Sequence, residues 1–130
     1  MAYSAYVLTS GSRLAVLERF PPKFSDVICH HVTERFGVHG SSERIPAPAE
    51  IKVVGYTSDS SLEALVVTVN GNSIRPDGLV YHITLSLDRL KGRKPVDSNR
   101  VITLAGWCAV EPLSIEAPPQ LRKVRQELFT

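Results

Sequence analysis

Residues 80–88, Val80-Tyr81-His82-Ile83-Thr84-Leu85-Ser86-Leu87-Asp88, decide the reading of this chain. Apolar and polar residues alternate through them, the period of a half-buried strand. Tyr81, Ile83, Leu85 and Leu87 fall on one side and His82, Thr84, Ser86 and Asp88 on the other. An imidazole and a hydroxyl two residues apart therefore share a face. A second His-x-Thr stands 51 positions earlier, in ICHHVTERFGV over residues 28–38. Read as one strand, that stretch puts Cys29, His31, Thr33 and Arg35 on one face and Ile28, Val32 and Phe36 on the other. One such tripeptide carries almost no information. Two, each backed by an apolar face, supply what cleavage of a phosphodiester without a metal needs: a proton acceptor, a proton donor, and hydroxyls to hold the phosphoryl oxygens.

Working outward, residues 3–9 are β-branched and aromatic enough for a strand, and Ser10-Gly11-Ser12 offers capping oxygens to a short helix in RLAVLERF. Leu14, Leu17 and Phe20 form its stripe, and Pro21-Pro22 ends it. Residues 41–49, with Pro46 and Pro48, read as irregular, and His39 as a loop residue. Residues 51–57 and 62–70 read as a hairpin turning at Ser58-Asp59-Ser60-Ser61, and turns follow at 70–72 and 75–78. Arg89, Lys91, Arg93 and Lys94 make a basic loop. Asp97 or Ser98 would cap a short helix over 99–104, residues 107–113 would form an edge strand, and residues 120–128 a terminal helix.

A chain of 130 residues has room for one core, so a single domain over residues 1–130 is expected. A 43% hydrophobic share with 22% charged residues is ordinary for a soluble protein, and no apolar run is long enough to span a bilayer. MAYSAYVLTSGSR has no signal-peptide pattern, which makes the cytoplasm the expected compartment and reduced thiols the expected state of Cys29 and Cys108. A net charge of +2 suits an anionic ligand but is far from that of a nucleic-acid coat protein.

At HVTERF and HITLSL the chain resembles the 2H phosphoesterase family, the LigT-like superfamily named for two motifs of His, any residue, and Thr or Ser. The resemblance covers most of residues 3–115. It implies an α+β fold that is bilobal, with pseudo-twofold antiparallel sheets and a few short helices, each lobe presenting one motif to a shared cleft. It implies that His31 and His82 are the catalytic acid and base and that Thr33 and Thr84 hydrogen-bond the phosphate. The implied substrates are 2′,3′-cyclic phosphates, 2′-5′ or 3′-5′ oligonucleotides and cyclic nucleotide signals, with no metal and no cofactor. Two departures stand out: Glu34 replaces an apolar residue, implying a paired carboxylate or an early strand end, and the 51-residue spacing implies a reduced lobe.

Two imidazoles with ordinary pKa near 6.5 can divide the acid and base roles at neutral pH, and the sequence leaves open which takes which. Arg35 is the preferred extra phosphate contact, and Tyr56, Ser86 and Trp107 are candidate substrate contacts. A zinc reading of Cys29, His30, His31 and His39 is disfavoured by spacing, with His30 pointing away from His31 in a regular strand. The leading expectation is a metal-independent phosphodiesterase acting on a nucleotide or short RNA, away from membranes. The alternative is a non-catalytic RNA or nucleotide-binding module using the same cleft. An assembly protein with incidental motifs is weaker still.

Overall fold

The computed structural model describes residues 2–38 and 45–123. They form eight strands and two helices: β1 (Ala2–Val7), α1 (Ser10–Arg19), β2 (Asp26–Val27), β3 (His31–Val38), β4 (Ile51–Ser58), β5 (Leu62–Val69), β6 (His82–Leu87), α2 (Asp97–Ala105), β7 (Cys108–Ile115) and β8 (Pro119–Lys123). A 3-10 turn, Arg89–Lys91, precedes α2. All strand pairs are antiparallel and make two sheets, one in the order β3-β1-β8 and one in the order β2-β6-β5-β4-β7. The architecture is α+β. The motif strands β3 and β6 belong to different sheets and lie against each other.

Their meeting is arranged by the chain between β2 and β3. The backbone N–H groups of Ile28 and Cys29 donate to the carbonyls of Leu85 and Thr84, so the chain still runs along β6 there. Cys29 then adopts a left-handed backbone (φ 40°), and His30 accepts through its carbonyl from Leu8 on the other sheet. The single strand expected over residues 28–38 is thus two pieces joined by a sharp turn. Residues that need a positive φ are unusual outside glycine, and here the turn is what moves the chain between sheets.

Both sheets bury side chains in one apolar cluster. Tyr6 and Val32 come from the small sheet, Val53, Leu65, Val67, Ile83 and Leu85 from the large one, and Val16 from α1. Thr9 caps α1 by accepting from the Ser12 N–H at 3.2 Å, one residue before the capping segment expected from sequence. That start places Val16 inward and leaves Leu14 exposed. A second cluster of Leu62, Ala64, Leu87 and Val101 packs the opposite face of the large sheet against α2.

A bulge in β6 separates the two faces. Thr84 pairs with Ala64 and Ser86 with Glu63, so Leu85 is the extra residue. Leu85 and Ser86 therefore both face the larger cluster, and Ser86 is not on the His82–Thr84 face that strict alternation assigns it. The expected helix over residues 120–128 is also corrected: residues 119–123 are β8, the second partner of β1. The remainder of that span, residues 41–44 and His39 fall outside the described residues.

Trp107 packs on β4, where a Cβ at Gly55 would overlap its indole ring. Gly55→Ala is expected to lower stability by about 1–3 kcal/mol through overpacking. Trp107 is the chain's one tryptophan, so urea unfolding followed by its emission reports both the midpoint and the displaced ring. An unchanged midpoint and spectrum would show that the ring does not rest on this backbone.

Candidate functional site

His82 and Thr84 project from β6 toward α2, and both are buried. The His82 Nδ1 lies 2.9 Å from the Val80 carbonyl, which can only accept, so Nδ1 carries the proton and Nε2 the lone pair in the neutral ring. Nε2 is buried with no hydrogen-bond partner among the described residues. Burial is the main cause that pushes the His82 pKa down to about 4, with Arg75 adding to it and the Val80 bond and Asp77 opposing it. Arg75 is itself buried and bidentate to Asp77, at 3.1 and 2.6 Å. From sequence, Arg75-Pro76-Asp77-Gly78 reads only as a turn. The missed signal is an Arg–Asp pair two residues apart, the reach of a local ion pair within such a turn.

His31 projects from the start of β3, stacked at a tilt on Tyr3 with ring centroids 5.4 Å apart. It is 3% exposed. Burial pushes its pKa down to about 3, followed in effect by the charges of His30, His82 and Arg122. The two motif histidines are therefore within electrostatic reach, and both rings are neutral at neutral pH. His30 is half-buried, and its Nδ1 lies 2.9 Å from the Nδ1 of His31. In a regular strand adjacent side chains diverge. Here His30 lies in the left-handed turn just before β3, which brings the two rings together. The His30 pKa is also lowered, by burial and then by Arg122 and Arg13. Arg13 donates to the Cys29 carbonyl at 3.1 Å, so a cation from α1 braces the same turn.

The threonines are unequal in what the structure gives them. Thr33 pairs with Ala5 in the small sheet and is buried there. The Thr84 hydroxyl is engaged inside the protein, with the Ser98 hydroxyl at 2.8 Å and the Pro95 carbonyl at 3.2 Å. Ser98 thus faces β6 instead of capping α2, whose first turn is tied by the Asp97 carboxylate accepting from the Lys94 N–H.

The other candidate contacts lie elsewhere. Arg35 is exposed and 3.7 Å from Glu34, whose carboxylate accepts from Ser4 at 2.7 Å; Glu34 is paired, and that accounts for its place in the motif. Tyr56 donates to Glu63 at 2.6 Å, and Ser86 donates to the same buried carboxylate. With the Lys23 N–H at 2.7 Å this makes a satisfied structural node on the face away from His82. Trp107 lies over Gly55, and the cross-strand row Gly55, Val66, His82 puts it on the His82 face two strands away, about 10 Å at ordinary strand spacing.

The Cys29 thiol is buried and its pKa pushed up to about 11, so it is held protonated and unreactive. Both cysteines are free thiols. Among the described residues no three of His, Cys, Asp and Glu are grouped to hold a metal ion. No described helix is long and apolar enough to cross a membrane. A cavity of about 480 Å³ between Arg93, Arg100, Val101 and Leu104 does not reach the histidines. No protein family, curated protein or solved structure matches the chain.

Proposed function

We propose that this chain is a metal-independent phosphodiesterase of the 2H type, acting on a nucleotide phosphodiester. The candidate substrates are a 2′,3′-cyclic phosphate, a 2′-5′ or 3′-5′ oligonucleotide, or a cyclic nucleotide signal. One observation carries the reading: two antiparallel sheets each contribute one His-x-Thr strand, and the two strands abut with both rings buried. The finer description, a bilobal pseudo-twofold 2H fold, is part of the same proposal.

In this mechanism the bare Nε2 of His82 takes a proton from water or a ribose hydroxyl, and His31 returns one to the leaving oxygen. Arg75 offsets phosphate charge near His82. Thr33 and Thr84 hold nonbridging oxygens by exchanging the contacts each has in the ligand-free protein, which for Thr84 are Ser98 and Pro95. Since all four motif side chains are buried, the substrate gains access only when their cover moves.

The test is incubation with 2′,3′-cyclic nucleotides, short 2′-5′ oligonucleotides and cyclic dinucleotides in excess chelator. Product is expected from one of these classes. Turnover abolished by chelator refutes the metal-free mechanism. Binding without product favours the second reading, an RNA or nucleotide-binding module. The observation on that side is that the Thr84 hydroxyl is already committed inside the protein.

A further inference from the structure

The contact between His30 and His31 joins like nitrogens, Nδ1 to Nδ1 at 2.9 Å, with the rings edge to face and centroids 5.1 Å apart. At that distance one proton lies between them, because two bare nitrogens or two N–H groups would repel. The partners differ in exposure: His31 is 3% exposed, whereas His30 is half-buried. His82 is held by an acceptor, so its reacting nitrogen begins bare. The proton for a leaving oxygen must then arrive through His31, yet a fully buried imidazolium is expensive to form. A charge placed on the half-buried ring costs less.

We infer that His30 is a positioning and relay residue, acting through His31, so that the pair forms one proton donor while His82 is the base. This rests on the phosphodiesterase reading. Protonation of His30 at Nε2 from water gives its imidazolium. The Nδ1 proton of His30 then passes to Nδ1 of His31 as the Nε2 proton of His31 passes to the leaving oxygen. The P–O bond breaks with its electron pair on that oxygen, which becomes a hydroxyl. His30 ends neutral with its proton on Nε2, and His31 ends neutral with its proton on Nδ1. The pair resets when His31 takes a proton from water at Nε2, its Nδ1 proton returns to Nδ1 of His30, and His30 releases its Nε2 proton to water.

The groups around the relay are consistent with this order of events. Beyond burial, Arg122 and Arg13 act on His30 and Arg122 acts on His31, so cations flank the donor and favour release of its proton. Arg75 and Asp77 act on His82. The left-handed turn at Cys29 supplies the geometry, since strand alternation would hold the two rings apart.

His30→Asn keeps a side chain that can hydrogen-bond to His31 but cannot be protonated or pass a proton. With a 2′,3′-cyclic nucleotide its kcat is expected to fall about 10- to 100-fold at unchanged KM, within the range of one proton-transfer contribution. With bis(p-nitrophenyl) phosphate, whose leaving group departs without protonation, the loss is expected to stay within about threefold, and added imidazole should restore part of the cyclic-nucleotide activity. Equal losses on both substrates, or no loss, overturn the relay. Ring ¹⁵N shifts of the ligand-free protein decide the pairing independently of turnover. At neutral pH a bare Nδ1 on His31 and a protonated Nδ1 on His30 are expected, and the reverse overturns the proposal. Absence of turnover by the unmodified protein refutes the phosphodiesterase reading, and the nitrogen shifts then stand as the measure of the His30–His31 pairing.

Discussion

His31→Gln and His82→Gln each lower phosphodiester turnover by about 10²–10⁴-fold, chiefly in kcat. Glutamine keeps most of the buried volume and a hydrogen-bonding end, so the loss isolates proton transfer from packing. The double variant falls well short of the product of the single losses, because donor and acceptor serve one displacement and neither is useful without the other. The single losses are also unequal in pH dependence. His82→Gln removes the group whose Nε2 is bare by virtue of the Val80 contact, so the remaining activity becomes proportional to hydroxide at alkaline pH. His31→Gln leaves that base in place and shows no such rise. Initial rates from pH 6 to 9 on one cyclic nucleotide distinguish the two, and turnover undiminished by either substitution ends the two-histidine mechanism.

Acidification from pH 7 to 4.5 destabilises the protein by on the order of 5 kcal/mol through His31 and His82 alone. In the unfolded chain both titrate near 6.5, whereas in the folded protein burial holds them at about 3 and about 4. Between those values the unfolded state binds protons that the native state refuses. Stability from this source is complete above about pH 6.5 and is lost as pH falls toward 4 and then 3. At 1.36 kcal/mol per unit, two units of unopposed uptake cost roughly 2–3 kcal/mol for each ring. Small domains have about 5–15 kcal/mol in total, so the fold is near its limit at pH 4.5. The His30 ring, also lowered, adds in the same direction. Urea midpoints measured across this range should fall steeply, and the double glutamine variant should flatten the slope. A level profile for the unmodified protein would mean that the rings are not buried as described.

The sequence made the α+β class and the β4–β5 hairpin legible, because two apolar-rich stretches flank the turn composition of Ser58-Asp59-Ser60-Ser61. It also made the two motif strands legible as strands. It could not show the turn at Cys29, since nothing in Ile28-Cys29-His30 marks a left-handed residue as a glycine would. With that turn hidden, regular strand alternation points His30 away from His31. The bulge at Leu85 was hidden for a similar reason: Leu85 and Ser86 satisfy alternation as written, and only the opposing pair Glu63 and Ala64 shifts the register. Residues 120–123 are ordinary helix formers, yet β1 has two open edges, and pairing its second edge outweighs the weak local preference. Arg75 illustrates the limit for charge. Its place beside His82 depends on a turn folding back along the strand that follows, which composition does not encode.

Because β1 lies between β3 and β8, the small sheet joins the first described residues of the chain to the last. During synthesis the strands of the large sheet other than β7 are all made by residue 87, whereas the sheet that carries His31 lacks an edge until residues 119–123 emerge. Pairings so distant in sequence form slowly, and a nascent chain exposes the unpaired side of β1 while it waits. The half of the fold that bears the His30–His31 pair is thus the last to mature. A ribosome-bound chain arrested before β8 has its large sheet largely specified and its small sheet open to cleavage or to intermolecular strand pairing.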